Sequence, residues 1–154
     1  TYNPWTYGGN ATGLGYGTNK TYYGAAQRLV STSGYAGRTG PSLKCNGELS
    51  KITSKVGLIT ADELALAGYA YSQNNTTTYL QENATDRSWW SLSPNVFNDG
   101  LTYVWEVNFD GGSLDYFCGS NTGNAARPAI TLVSSTTISG GSGTSEDPYV
   151  INQK

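Results

Sequence analysis

Apolar and polar residues follow three successive patterns along the chain. Residues 1–23 are rich in Gly, Tyr and Asn and have no regular period, so we expect irregular structure that Trp5 and the tyrosines hold in place. Between residues 24 and 71 the apolar positions recur at helical spacing, and from residue 89 they alternate with a period of two. Helices followed by strands predict an α+β domain.

Two stretches predict helices. In GAAQRLVS, residues 24–31, the apolar residues share one side, and we expect this helix to end near Gly34. In ITADELALAGYA, Thr60 and Glu63 have the spacing of a capping box, in which each side chain satisfies a backbone N–H of the other residue. This second helix is expected to place three residues on one face: Leu64, Ala67 and Tyr71.

The second half of the chain predicts an antiparallel sheet. In TYVWEVNFD the odd positions form one apolar face: Tyr103, Trp105, Val107 and Phe109. DGGS, residues 110–113, predicts a turn, and LDYFC returns with Leu114, Tyr116 and Cys118 on one face, which makes a hairpin. Two further strands are predicted at 128–133 and 148–151, with a surface connection between them that is rich in Gly and Ser.

The length of 154 residues fits one domain with one hydrophobic core. Charged residues make up 13% of the chain, against about 25% in an average soluble protein, so the surface is polar but mostly uncharged. The net charge is −2, and the Lys and Arg residues form no basic stripe, which disfavours nucleic acids and anionic membranes as partners. No apolar run approaches the ~20 residues of a membrane span. The chain has no Met, so we expect Thr1 to follow a processing site or to be the start of a piece of a longer chain.

The chemistry of the side chains disfavours an enzyme. The chain has no His, which removes the commonest general base and the commonest transition-metal ligand. The acids of the predicted turns lack the spacing of a calcium loop, and we expect them to be solvated. These acids are Asp110, Asp115, Glu146 and Asp147. We expect no catalytic residue, no metal site and no cofactor, and we expect Arg127 to fix the loop before Pro128 by contacts with a carboxylate or with carbonyls.

The two cysteines, Cys45 and Cys118, are far apart and form no CxxC motif. A disulfide between them would suit an exported chain that is rich in Tyr, Asn, Thr and Ser. Two separate, reduced and buried thiols are the alternative. The disulfide is favoured, and with it an extracellular or cell-surface location.

Five blocks carry a resemblance to a known family: KVGLITADELALAGYA, SWWSLSP, YVWEVNFDGGSLD, ARPAITL and SGGSGTSEDPYVI. In this order they resemble a domain of unknown function found in surface and pilin-like proteins of gut Firmicutes. The match covers roughly residues 43–152, and residues 1–42 match less distinctly. The resemblance implies a C-type-lectin-like fold, related to formylglycine-generating enzymes, with two helices on a small twisted sheet and a ligand-facing surface on the last strands and loops.

Three features of these families are not matched. The calcium motifs of sugar-binding C-type lectins are replaced by SPN at 93–95 and FND at 97–99, so calcium-dependent sugar binding is not expected. Cys45 and Cys118 are expected to be structural, unlike the reactive pair of formylglycine-generating enzymes. The hydrophobic N-terminal helix of pilin-like members is not present in these residues.

The stretch NFDGGSLDYFCGSNTGNAARPA, residues 108–129, is the predicted binding surface. Its Tyr, Asn, Ser, Gly and Asp residues are those that adaptable binding loops favour, and in some relatives of the implied fold this segment is diversified. The predicted ligand-binding residues are Asn98, Asp99, Asn108, Asp110, Asp115, Phe117, Asn121 and Asn124. We expect the last six to be exposed together on one side of the domain, although they could instead only cover a sheet edge. A slip of one residue would present Tyr103 and Trp105 in their place.

The sequence therefore favours a non-enzymatic, extracellular binding or adhesion module of a bacterial or phage surface protein, with an unknown protein or glycan ligand. The alternative is a structural subunit of a pilus or similar filament, in which the same surface packs against a neighbouring copy.

Overall fold

The structure is a computed structural model, and it describes residues 21–30, 39–44, 53–82, 86–98, 101–118, 123–144 and 146–152. Some of the sequence predictions fall outside this part of the chain. They concern the irregular segment before residue 21 and three residues with predicted roles, which are Cys45, Asp99 and Asn121. The disulfide stays a prediction for this reason.

The described chain forms three short helices and nine strands, and the predicted α+β class is confirmed. The helices are α1 (Gly24–Leu29), α2 (Ala61–Leu66) and α3 (Tyr79–Glu82). The strands are β1 (Thr21–Tyr22), β2 (Gly57–Leu58), β3 (Trp89–Asn98), β4 (Leu101–Val107), β5 (Leu114–Cys118), β6 (Ala125–Ala126), β7 (Pro128–Ala129), β8 (Ile138–Gly140) and β9 (Val150–Ile151).

Helix α1 lies where the sequence predicted it, but it ends at Leu29 and not near Gly34. Its apolar side is confirmed, because Ala25 and Ala26 are buried, as is Val30 just after the helix. A bidentate ion pair joins this helix to α2. The Arg28 guanidinium donates from Nε and Nη2 to the two Asp62 carboxylate oxygens, at 3.0 and 2.6 Å.

The capping box of α2 is confirmed. The Glu63 backbone N–H donates to Thr60 Oγ1 at 3.2 Å, and the Thr60 N–H donates to Glu63 Oε2 at 2.8 Å. The predicted length was wrong, because the helix ends at Leu66 and the chain reverses at Gly68, whose φ is +97°. Tyr71 therefore lies beyond the helix, where it bridges to Leu114.

The main sheet has the order β1-β3-β4-β5, all antiparallel, and β6 adds a short parallel pairing to β3. The predicted hairpin is β4 and β5, with Trp105 opposite Tyr116 and Val107 opposite Leu114. Strand β3 was not predicted as a separate strand. It pairs with β4 from Trp89 onward, and its register shifts around Pro94.

The hydrophobic core lies between helices α1 and α2 and one face of the main sheet. Leu64 of α2 and Trp89, Trp105, Val107 and Leu114 of the sheet are fully or almost fully buried. One face of the β4–β5 hairpin is therefore part of the core, and the opposite face points away from it.

The C-terminal part differs from the prediction. The strand expected at 128–133 is limited to β7, which pairs with β2, and residues 130–133 are exposed. The expected surface connection contains β8, which pairs with β9 in a small separate hairpin. None of the helices in the described ranges is long and apolar enough to span a membrane.

Candidate functional site

The two faces of the β4–β5 hairpin are in the predicted phase. Trp105 and Val107 are fully buried, whereas Phe117, on the opposite face, is 49% exposed. Phe109 was expected in the core, but the chain leaves the strand after Val107 and the Phe109 side chain is 51% exposed. The outward face is not a free surface throughout, because Glu106 is almost completely buried on it.

The predicted ligand-binding residues do not form one exposed set. Asp110 and Phe117 are exposed as expected. The expected exposure is not confirmed for Asn108, Asp115 and Asn124, which are half-buried, and Asn98 is also half-buried. Asp99 and Asn121 lie outside the described residues.

Local hydrogen bonds explain why three of these polar side chains are half-buried. Asn108 Oδ1 accepts from the Asp110 N–H at 2.9 Å, and Asn124 Nδ2 donates to Glu106 Oε2. Asp115 Oδ1 accepts from the N–H of Tyr116 at 2.8 Å. These polar side chains hold the hairpin and the start of β6 in place.

The turn between β4 and β5 is anchored by the segment that follows α2. The Asn75 N–H donates to the Gly111 carbonyl oxygen at 2.7 Å, and Gln81 Nε2 donates to the Phe109 carbonyl oxygen at 3.1 Å. Gly112 is buried beneath this segment. The turn is therefore a fixed part of the fold rather than a flexible loop tip.

Glu106 is the centre of a polar cluster that sequence reasoning missed. Its side chain is 6% exposed, and it lies directly opposite Asp115 in the β4–β5 register. Burial raises the pKa of the Glu106 carboxyl above its ordinary 4.5, the hydrogen bond from Asn124 lowers it, and the charge of Asp115 raises it. The cluster thus joins two predicted site residues, Asp115 and Asn124, around a buried acid.

The raised pKa of Glu106 predicts a pH-dependent stability. Because the folded protein binds the Glu106 proton more tightly than the unfolded chain, this contribution is complete below the unfolded pKa and is lost as pH rises through the folded pKa. Glu106→Gln keeps an acceptor for Asn124 and removes the charge. We expect the variant to be more stable than wild type at pH 7, because Gln places no charge in the buried position.

Urea unfolding at a series of pH values tests this expectation. The difference between Glu106→Gln and wild type should shrink as pH falls through the raised pKa of Glu106. Asp110→Asn, which removes an exposed acid from the adjoining turn, is the matched control. A Glu106→Gln variant that is less stable at pH 7 would contradict the burial argument.

A group of tyrosine rings lies where β5 forms the edge of the sheet. The Tyr71 ring stacks on that of Tyr116, with centroids 6.1 Å apart and an interplanar angle of 10°, and Tyr103 meets Tyr116 edge to face at 5.8 Å. All three side chains are half-buried, and their rings rest against the buried Trp105 through Tyr71 and Tyr116. The sequence assigned Tyr71 to helix α2 and so gave no sign of this group.

The outer side of β5 is protected against further strand pairing. At Leu114 it is bonded to the segment after α2, through the Leu114 N–H to Ala70 O and the Ser72 N–H to Leu114 O, both at 3.0 Å. Because N–H directions alternate along a strand, the Tyr116 N–H points to this same side, and Asp115 accepts its hydrogen bond. These contacts occupy the outward N–H and carbonyl of Leu114 and the N–H of Tyr116, so this end of β5 cannot pair freely with another strand.

Arg127 contacts the core through Trp89, and its expected contact with a carboxylate or with carbonyls stays a prediction. Its guanidinium carbon lies 5.0 Å from the centroid of the Trp89 ring, a cation–π geometry, and the side chain is half-buried. Within the described ranges, no group of three or more acids, cysteines or histidines is placed to hold a metal ion.

In comparisons with known proteins, no family model, no curated protein and no solved structure matches the chain.

Proposed function

We propose that the chain is a non-enzymatic binding module of an extracellular bacterial or phage surface protein, and that its fold is C-type-lectin-like. The proposed ligand site is the β5 edge surface, formed by Tyr71, Tyr103 and Tyr116 on one side of the strand and by Asp115 and Phe117 on the other. The observation that carries the proposal is the group of partly exposed tyrosine rings on an anchored hairpin.

The physical argument rests on pre-organisation. Aromatic side chains supply a large contact area and lose few rotamers on binding, and affinity improves when they are already fixed. The rings of the β5 edge surface rest on the buried Trp105, and the adjoining turn is bonded to the segment after α2. An exposed Phe117 on the opposite face of β5 adds apolar surface that the fold itself does not bury.

Two exposed phenylalanines offer a matched test of this site. Phe117 lies in the β5 edge surface and is 49% exposed, whereas Phe109 lies in the turn and is 51% exposed. Replacing either by Ala should change the free energy of unfolding by no more than about 0.5 kcal/mol. We expect Phe117→Ala to weaken ligand binding by about tenfold or more, which corresponds to about 1.4 kcal/mol, and Phe109→Ala to leave it unchanged.

The measurement has two steps. Protein and glycan arrays first identify ligands of the wild-type module, and titration calorimetry then compares the two variants. Equal affinities of Phe117→Ala and wild type for every ligand found would refute the β5 edge surface as the site.

A structural subunit of a surface filament is the second candidate function. It is supported by the exposed apolar side chains of the C-terminal segment, since contiguous apolar surface on a soluble protein commonly marks a protein contact. Electron microscopy of the purified chain at high concentration tests it, with ordered fibres as the expected result.

A further inference from the structure

The C-terminal segment exposes an unusual amount of apolar surface. No described residue from 130 to 152 is buried, and Thr136 alone among them is half-buried. Seven large apolar side chains of the segment are between 38% and 72% exposed: Ile130, Leu132, Val133, Ile138, Tyr149, Val150 and Ile151. The segment therefore lacks a core of its own and contributes little to that of the domain.

Strands β8 and β9 give this segment little stability on its own. They form a two-stranded hairpin, residues 138–151, which we call the C-terminal hairpin, and all five strand residues are exposed. Two strands in water are marginally stable, and a third strand or a packed face is normally needed. Natural proteins guard open strand edges with charged residues, yet β8 and β9 contain none, in contrast to the β5 edge that Asp115 protects.

The domain also carries a groove with apolar side chains along it. It runs along β2 and β7, with a volume of about 970 Å³. Three of the side chains that line it are large, apolar and exposed: Val56 at 50%, Leu92 at 60% and Ile130 at 66%. We call this feature the Lys55 groove, because Lys55 also lines it.

The turn of the C-terminal hairpin is acidic, and the Lys55 groove has an exposed lysine of opposite charge. Between residues 128 and 152 the charged residues are Glu146 and Asp147, both at the turn of the C-terminal hairpin. Lys55 is exposed at the groove and forms no ion pair with a described residue. Glu63 also lines the groove and is exposed, and its Oε2 accepts from the N–H and the hydroxyl of Thr60 in the capping box.

We propose that the C-terminal hairpin of one copy of this chain docks in the Lys55 groove of a second copy. Val150 and Ile151 of the hairpin would cover the apolar floor of the groove, and the acidic turn would face Lys55. One such contact leaves a hairpin and a groove unpaired, so further copies can add to it as a ring or an open chain, whereas a reciprocal exchange of hairpins closes a twofold dimer. This contact goes beyond the ligand site at the β5 edge surface and does not depend on it.

Analytical ultracentrifugation of the purified chain over two decades of concentration measures the association. We expect the weight-average mass to rise with concentration above that of the monomer. Val150→Asn, at a 56% exposed position, should weaken association by about tenfold or more, with the domain still folded by circular dichroism. A chain that stays monomeric over the whole range would overturn the proposal.

A charge exchange tests the pairing itself. Lys55→Glu and Glu146→Lys should each weaken association by about tenfold, and the double variant should recover most of that loss. Lys44→Glu reverses an exposed lysine away from the groove and is the control, which we expect to associate like wild type. Loss of association in Val150→Asn without any effect of Lys55→Glu would mean that hairpins pair with each other, and it would overturn docking in the groove.

The ligand site and the copy contact can fail separately. Phe117→Ala is expected to leave association unchanged, and Val150→Asn is expected to leave the binding of array ligands unchanged, because these residues lie on different surfaces.

Discussion

Replacing Trp105 by Ala is expected to destabilise the domain by about 3–5 kcal/mol, the usual cost of truncating a fully buried aromatic side chain. Trp105 is 0% exposed, and its indole meets the rings of Tyr71 at 5.9 Å and Tyr116 at 6.3 Å, both nearly edge to face. The loss combines the lost burial with a cavity that the anchored hairpin cannot close. For a domain of this size, such a change is a large part of the total stability.

Urea unfolding of the variant measures this cost, with Phe117→Ala as the control on the next strand. The control should change the unfolding free energy by no more than about 0.5 kcal/mol, since Phe117 is half exposed. A loss below about 1 kcal/mol in Trp105→Ala would show that the indole does not belong to the core. Because Trp105 supports the tyrosine rings, ligand binding should weaken in this variant even where it remains folded.

The β4–β5 hairpin could be predicted because its signals are local. The alternation through Trp105 and Val107, followed by DGGS, fixes both the phase of the strand and the place of the turn. The capping box of Thr60 and Glu63 is also local, since its partners are three residues apart, and the structure confirms it.

The period of two begins at residue 89, but β3 was not recognised as a separate strand because several of its residues are buried and polar. Ser93 and Ser91 are buried in it. Ser93 Oγ accepts from the Ala61 N–H at the start of α2, a partner 32 residues away. Because Ser is mostly found at the surface, the sequence pattern predicts surface or loop positions for these serines. Pro94 within the strand also favours a loop.

The candidate site was only partly predictable for the same reason. Glu106 follows the polar phase of β4, so the pattern places it on the outer face, but its burial depends on Asn124, 18 residues away. Tyr71 reaches Tyr116 only because α2 ends at Leu66. The helix seemed longer because Ala67 continues the apolar spacing, and the stop at Gly68 is a matter of backbone geometry.

Replacing Gly112 by Ala is expected to lower the free energy of unfolding strongly, although the change adds only one methyl group. Gly112 has φ +67°, a left-handed conformation that costs a residue with a Cβ about 1–2 kcal/mol. An added Cβ would also lie 2.3 Å from the backbone oxygen of Asn75, which cannot move without pulling the anchoring segment off the turn. Overpacking of this kind typically costs about 1–3 kcal/mol, so we expect a total loss of about 2–5 kcal/mol.

Two other glycines separate the causes of this loss in the same unfolding measurement. Gly111 has φ +92° but faces the side chain of Asn74, which can move aside, so Gly111→Ala should cost less than Gly112→Ala. Gly140 lies in β8 with no atom within 4 Å of an added Cβ, so Gly140→Ala should change stability by no more than about 0.5 kcal/mol. If all three variants unfold alike, the turn is not held against Asn75, and the anchored hairpin that the proposed ligand site requires is absent. If the order is Gly112, Gly111, Gly140, the turn is rigid, and the glycines of DGGS serve close packing of the backbone rather than display to a ligand.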